Sequence, residues 1–588
     1  MKTTHVTLWK RRPQLLVAMI TLLVILADRS VRAADPRLDS WFTANSGKYA
    51  RVYTNDANKT AGTSRTTWGN GSQNQTLPAY AGVQEIYSSP TWVYIRSTGL
   101  GSHIMGPWLN GAFPNLPKNQ KVFYRIPRAP ATSGTHTLTG LGAIGYFVDG
   151  VAMFDSRDGF VWTGAAESGM GTGYWNREAY VNEGATFDPG YAHQENSGTH
   201  HYHANPIALR YLLGDHVDYN AATKTYSEST NAVTKHSPIL GWVRDGFPVY
   251  GPYGYSVSNN ASSGVRRMLS GYQLRNGSRG TDNLTNTLRA SLPAWAVRLY
   301  GTNTTGPSNL ATYPVSRYME DNAFLGDLGY TMGTDYDLDE YNGRFCVTPE
   351  FPGGTYAYFV SISSNGTPVY PYNIGRTFYG TPSGAAVTAL AETVTTNFVG
   401  GASAPQSLSK PAVGGGNVTL VWSATEGGTY RVESTTNFTA WTTNATNLAA
   451  SGNTGRYTNS SASGLGFYKI ARTALATYDP VAGTTGGGVG ILSVSPTSGV
   501  RGTTITLTIN LDVAVNPPPQ MAPINSVTVG TIPGASNVHV SQVQVTSSIT
   551  IPAGAATGPQ TVTVIFPGPP GNPTATVTYT LPNGFTIN

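Results

Sequence analysis

The chain has 588 residues, among them 68 Gly, 38 Pro and 34 Tyr, and only 12% charged side chains, a composition that favours short strands broken by turns over long helices. The formal charge of +6 sits mostly at the start, where six of the 37 Lys and Arg precede residue 34, so the remainder is nearly neutral and carries no basic run suited to a nucleic-acid backbone. Cys346 is the only cysteine, which excludes intrachain disulfides and reads as a small buried apolar group.

In chain order, Lys10, Arg11 and Arg12 precede an apolar run from Leu15 to Ala27, and "VRAAD" offers a small-residue cleavage site after Ala33. Residues 1–33 therefore read as a secretory signal peptide, and the protein is expected outside the cytoplasm: extracellular, periplasmic or held at the cell surface. The apolar run is shorter than the ~18 to 20 residues that cross a bilayer, so no membrane span is expected. A large β-rich region follows over residues 35–395. Within it "GYFVDGVAMF" (145–154) matches "GWVRDGFPVY" (241–250) in the opening Gly, the Asp-Gly pair and the last aromatic residue. Each segment reads as strand, turn, strand, with Asp149 and Asp245 as turn formers and both central turn residues at positive φ. Two copies suggest a duplicated β-unit with a site between its halves.

The histidines are unevenly placed. Six of the ten fall between positions 193 and 236, three of them in "THHYHA". In an extended chain His201 and His203 share a face, with Cα atoms about 6.6 Å apart, while His200 and Tyr202 face the other way. Two imidazoles on one strand suit a divalent metal, Zn or Cu by donor type. The third ligand is expected from His236, which leads into the second hairpin, or else from His103 in "GLGSHIMGPW". His193 and His216 stand in polar contexts that read as solvated loops. The competing reading treats the histidines as half-polar planks in an aromatic sheet. A short helix, "NPIALRYLLGD", follows and stops at Gly214.

A reaction at such a metal needs an open coordination position and a proton acceptor. Asp245 and Glu340 are the candidate catalytic carboxylates, with Glu195 behind them. The run Asp335 to Glu340, in "DYDLDEYNGRF", reads as a solvated acidic loop or as a Ca²⁺ loop. No Gly-x-Ser-x-Gly elbow, phosphate-binding loop or dinucleotide fingerprint is present, which removes the usual support for those enzyme classes.

Residues 396–413 form a Gly/Ser/Pro-rich linker to a small all-β module over 414–476, with Trp422 and Trp441 as expected core residues. A Gly-rich linker at 477–490 leads to a last module over 491–588. Its opening "ILSVSPTSGVRGTTITLTINL" resembles immunoglobulin-like modules of the IPT/TIG type, which implies a spacer or adhesion unit. The segments "THHYHANP", "HSPILGWVRDGFPVYGPYGY" and "DLDEYNGRFCVTPEFPGGTYAYFV" resemble the YHYH-domain family of secreted bacterial proteins over roughly Trp41 to Gly380. His200 stands where the first Tyr of that motif would be, and His201, Tyr202 and His203 keep the rest. The resemblance implies export and a domain boundary, and it names no reaction.

The expected fold is mainly β: a large N-terminal β-rich domain followed by two small β-sandwich, immunoglobulin-like modules. The expected function is that of a secreted metal-binding protein with a histidine-cluster site, with a metal-dependent hydrolase or oxidase activity left open by the sequence. The alternative is a carbohydrate- or cell-surface-binding envelope protein without catalysis, which rests on the many Tyr and Trp side chains. A purely structural envelope component is a third reading.

Overall fold

A computed structural model describes residues 35–588 except 71–72, 109–114, 133, 172, 460–465, 482–490, 512–523, 542–543 and 568–575. The expected signal peptide and most of the second linker lie outside the described residues. The fold is mainly β, as its composition requires. No helix of the described residues is long and apolar enough to cross a membrane.

The first region is organised by an eight-stranded sheet: β1 (Gly145–Phe147), β2 (Ala152–Met153), β3 (His193–Gln194), β4 (His200–Tyr202), β5 (Ile239–Val243), β6 (Pro248–Tyr250), β7 (Gly343–Cys346) and β8 (Thr355–Phe359). Their order across the sheet is 3-4-2-1-5-6-8-7. The two matching sequence segments are its two central hairpins, β1–β2 and β5–β6, joined antiparallel through β1 and β5.

The symmetry runs further than the hairpins. β4 pairs parallel with β2, and β8 pairs parallel with β6; β3 and β7 then add antiparallel outside them. With Met153 aligned to Val249, the register sets Tyr202 opposite Met153 and Tyr358 opposite Val249, so His200-His201-Tyr202 corresponds to Tyr356-Ala357-Tyr358. By the same registers His193, opposite His201, corresponds to Arg344, opposite Ala357. The histidines on the strands of this sheet, His193, His200 and His201, belong to one half of the duplication alone.

The Asp-Gly turns differ in detail from the expectation. Only the glycines take positive φ, 79° at Gly150 and 84° at Gly246. The Gly150 N–H donates to Phe147 O and the Gly246 N–H to Val243 O, so Asp149 and Asp245 occupy the residue before the left-handed position.

A five-stranded sheet (Ala385–Ala386, Val122–Pro127, Trp92–Ser97, Val83–Ser88, Thr395–Val399, in spatial order) packs on the eight-stranded one. Val83, Ile86, Val93, Ile95 and Ile126 share a core with Phe147, Val148, Trp242 and Val243. The eight-stranded sheet is covered on both sides. Its strands are buried at nearly every position, which explains their apolar and aromatic runs without strict alternation. Cys346 lies in this core, its thiol pKa pushed up by burial.

Two all-β modules follow. In the first, two three-stranded sheets enclose Leu420, Trp422, Tyr430 and Val432. Trp422 is a core residue as expected. Trp441 is half-buried at the edge, beneath the Lys469 ammonium. The module is tied to the first region: Glu426 accepts 2.6 and 3.1 Å hydrogen bonds from the Arg51 guanidinium and one of 2.8 Å from the Tyr49 N–H. The segment expected as a linker from 396 begins inside the edge strand Thr395–Val399. The last module surrounds Leu507, Ile509, Val527, Val545, Val564 and Phe585.

Candidate metal centre

The site starts from the two-residue period of a strand. His201 and His203 project to the same side of β4 and its continuation, and their Nε2 atoms stand 3.1 Å apart. His193 lies directly opposite His201 on β3, and residues directly opposite one another in an antiparallel pair share a face, so it joins them. The ring centroids of His193 and His201 are 4.6 Å apart, and one donor atom from each of His193, His201 and His203 falls within 4.8 Å of the others. All three are buried.

The hydrogen bonds fix which nitrogen faces inward. His201 Nδ1 donates to Thr199 O at 2.8 Å, and His203 Nδ1 donates to Asp155 O at 2.7 Å. A carbonyl can only accept, so both rings carry their proton on Nδ1, and the two Nε2 lone pairs face each other. Two acceptors at 3.1 Å do not bind one another; a cation between them satisfies both. His193 Nδ1 stands 2.9 Å from Thr186 Oγ1, whose hydroxyl donates to Glu183 O, so that Nδ1 is also the protonated nitrogen. Buttressing of this kind orients metal-binding imidazoles.

Glu183, at the end of the helix Ala179–Glu183, completes the arrangement. Its Oε2 lies 3.5 Å from His203 Nε2 and 3.7 Å from His193 Nε2. Donors about 2.0–2.1 Å from a tetrahedral ion are roughly 3.3 Å apart, so the His201–His203 spacing and the Glu183 contacts match the edges of one such polyhedron. The walls are aromatic: Phe154 stacks on His201 at 3.8 Å, and Phe187 meets His193 edge-on at 4.7 Å. Burial therefore holds the pKa of all three imidazoles below its ordinary value, and the neighbouring rings add to this for His193 and His201. They are neutral, the form that binds metal. Burial also raises the Glu183 carboxyl to about 8, with Asp158 adding to it.

The other expected residues lie elsewhere. The His236 ring packs among Tyr250, Tyr255 and Phe359, and its Nδ1 donates to Ser237 O at 2.7 Å. Tyr250 and Phe359 belong to β6 and β8, in the half of the sheet that does not hold His201 and His203, so His236 does not join the pair. His103 faces Asp188 and His200 on the opposite side of β4. Asp245 is buried: Oδ1 accepts from Phe247 N within its hairpin at 3.2 Å, and Oδ2 accepts from Tyr358 Oη at 2.6 Å and from Gly380 N at 3.0 Å. Glu340 pairs with Arg298 at 2.9 Å on the surface. The carboxylate beside the imidazoles is Glu183, not Asp245 or Glu340.

The acidic run does not gather into a Ca²⁺ loop. Asp337 forks onto Arg266 at 2.6 and 2.7 Å, Asp339 accepts from Tyr356 Oη, and Asp335 accepts from Thr331 N. Each carboxylate faces a different partner.

His236 gives a clean contrast. His236→Phe is expected to leave metal content unchanged and to cost no more than about 1 kcal/mol at pH 7, the worth of one hydrogen bond. Burial lowers the His236 pKa to about 4, so its neutral form contributes stability above the unfolded-state value of 6.5 that is lost as pH falls. On going from pH 7 to pH 5 the variant should therefore gain about 2 kcal/mol relative to the parent in paired unfolding curves.

The sequence alone does not bring His193, Glu183 or Asp188 to the histidine pair. The signal for His193 is its pairing with His201 across β3 and β4, which needs strand register; Glu183 and Asp188 carry no spacing signal. None of the curated proteins matches the chain. Residues 123–370, which hold Glu183, His193, His201 and His203 and all eight strands of the duplicated sheet, match the model of the family described as YHYH protein.

Proposed function

We propose that the first region is the metal-binding module of an exported protein, holding a Zn²⁺- or Cu²⁺-class ion through His193, His201, His203 and Glu183. The single observation that carries this is the 3.1 Å approach of His201 Nε2 to His203 Nε2 while both Nδ1 atoms donate to carbonyls. Three nitrogens and one oxygen, with no sulfur, suit a borderline divalent cation. Among these donors the histidine side chains are at most 3% exposed and Glu183 is 23% exposed, so exchange with solvent occurs on the Glu183 side. A hydrolase or oxidase built on this site would take its substrate there.

The test is metal analysis of the purified full chain before and after dialysis against a chelator. A near-stoichiometric Zn or Cu content, with affinity reduced at least about 10-fold in Glu183→Gln, is expected. A chain that neither carries nor takes up these ions, by titration calorimetry, contradicts the proposal.

The carbohydrate reading keeps one specific feature. Most large aromatic residues fill cores, but Tyr211, Tyr219 and Tyr226 pack on one another at 4.9–5.6 Å, with Tyr211 and Tyr219 exposed. Polysaccharide binding that survives chelation and is lost in Tyr219→Ala would support it.

A further inference from the structure

The opposite face of β4 carries a second cluster. His103, Asp188 and His200 each bring one donor atom to within 4.8 Å of the others, and all three are buried. His200 is 0% exposed, and among the described residues neither of its ring nitrogens has a hydrogen-bond partner. His103 Nε2 stands 3.4 Å from Asp188 Oδ2, and its buried Nδ1 also has no partner among the described residues. Fully buried imidazoles without partners are rare, because each stranded nitrogen forfeits its hydrogen bonds to water.

The duplication shows how the same position is satisfied without an ion. Asp188 and Asp339 stand equally far before His193 and Arg344, in loops that match bond for bond. Asp188 Oδ1 accepts from Gly190 N and Ala192 N at 2.8 and 3.1 Å; Asp339 Oδ1 accepts from Tyr341 N and Gly343 N at 3.0 and 3.1 Å. In the second half Tyr356, at the position of His200, closes the site by donating to Asp339 at 2.9 Å. In the first half the phenol is replaced by a shorter imidazole, His103 enters beside it, and Asp188 Oδ2 accepts from Gly106 N at 2.8 Å. Glycine admits that ring: a Cβ on Gly190 would lie 2.7 Å from His103 Nε2 and 3.1 Å from Asp188 Oδ1.

We propose that His103, Asp188 and His200 form a second, closed site for a divalent transition ion, separate from the centre on the other face of β4. Two imidazoles and one carboxylate are a donor set for Zn²⁺ or Cu²⁺. The ion takes the place that the Tyr356 hydroxyl fills in the other half. β4 is then clamped from both sides, and the site is structural because His103 and His200 leave no solvent-facing edge.

The experiment strips the full chain with chelator, reloads it with Zn²⁺ alone and counts bound ions per chain. The parent is expected to bind two. His200→Tyr, which restores the partner seen in the second half, and Asp188→Asn, which keeps the Oδ1 acceptor for Gly190 and Ala192 and gives up the bond from Gly106 N to Oδ2, should each bind one and stay folded by circular dichroism. His203→Ala should lose the other ion, and His200→Tyr combined with His203→Ala should lose both. A parent that binds one ion, retained in both His200→Tyr and Asp188→Asn, overturns this site and assigns an ordered water to His200. A single ion lost in those two variants but kept in His203→Ala would uphold this site and overturn the first. If His200→Tyr misfolds, Asp188→Asn alone decides.

Discussion

His203→Ala is expected to empty the centre formed with His193, His201 and Glu183, weakening its hold on Zn²⁺ by more than about 100-fold, the upper range for disturbing only a ligand's supporting hydrogen bond. The reason is geometric. His203 supplies the Nε2 that faces His201 at 3.1 Å and lies 3.5 Å from Glu183 Oε2, so its loss opens the middle of the donor set. The fold should persist, since the ring's one other bond, Nδ1 to Asp155 O, holds the imidazole rather than the chain. Competition titration against a chromophoric chelator reads the change. An affinity equal to the parent's would mean that the pair does not share an ion.

Arg210→Leu is expected to produce the largest loss of stability, about 3–5 kcal/mol, the range for breaking a buried ion pair by removing one partner. The helix Ile207–Leu212 starts just beyond His203, and Arg210 holds it in place with a side chain that is 0% exposed. Its guanidinium donates to Asp215 Oδ2 at 2.6 Å, to Asn205 Oδ1 at 2.9 Å and to both oxygens of Glu228. Leucine leaves the Asp215 and Glu228 carboxylates near one another without a cation, at 3% and 10% exposure. Calorimetric unfolding should show the loss in the transition that also responds to metal, since the two tail modules have their own cores. A change below 1 kcal/mol would show that the network adds little.

The sequence made the local part of this arrangement legible. Strand period alone places His201 and His203 together and turns His200 away, and the repeated Asp-Gly segments mark both central hairpins. The partners of those histidines were hidden because they arrive through register. His193 meets His201 only when β3 folds against β4, and Asp188 reaches His200 only through the loop that precedes β3. His236 misled for a related reason. It precedes the second hairpin, but β8 of that half presents Ala357 and Phe359 where β4 and its continuation in the first half present His201 and His203. The full extent of the duplication was equally hidden, since "HHYH" and "YAYF" share only Tyr202 and Tyr358 and are matched by pairing rather than by residue type.

Anomalous diffraction from crystals of the Zn²⁺-loaded chain, recorded on either side of the zinc absorption edge, tests the central claim most directly. A peak is expected about 2.0–2.1 Å from the Nε2 atoms of His193, His201 and His203, with Glu183 turned toward it. A loaded crystal with no peak between those three rings, or with the rings of His201 and His203 hydrogen-bonded to a water instead, would contradict it.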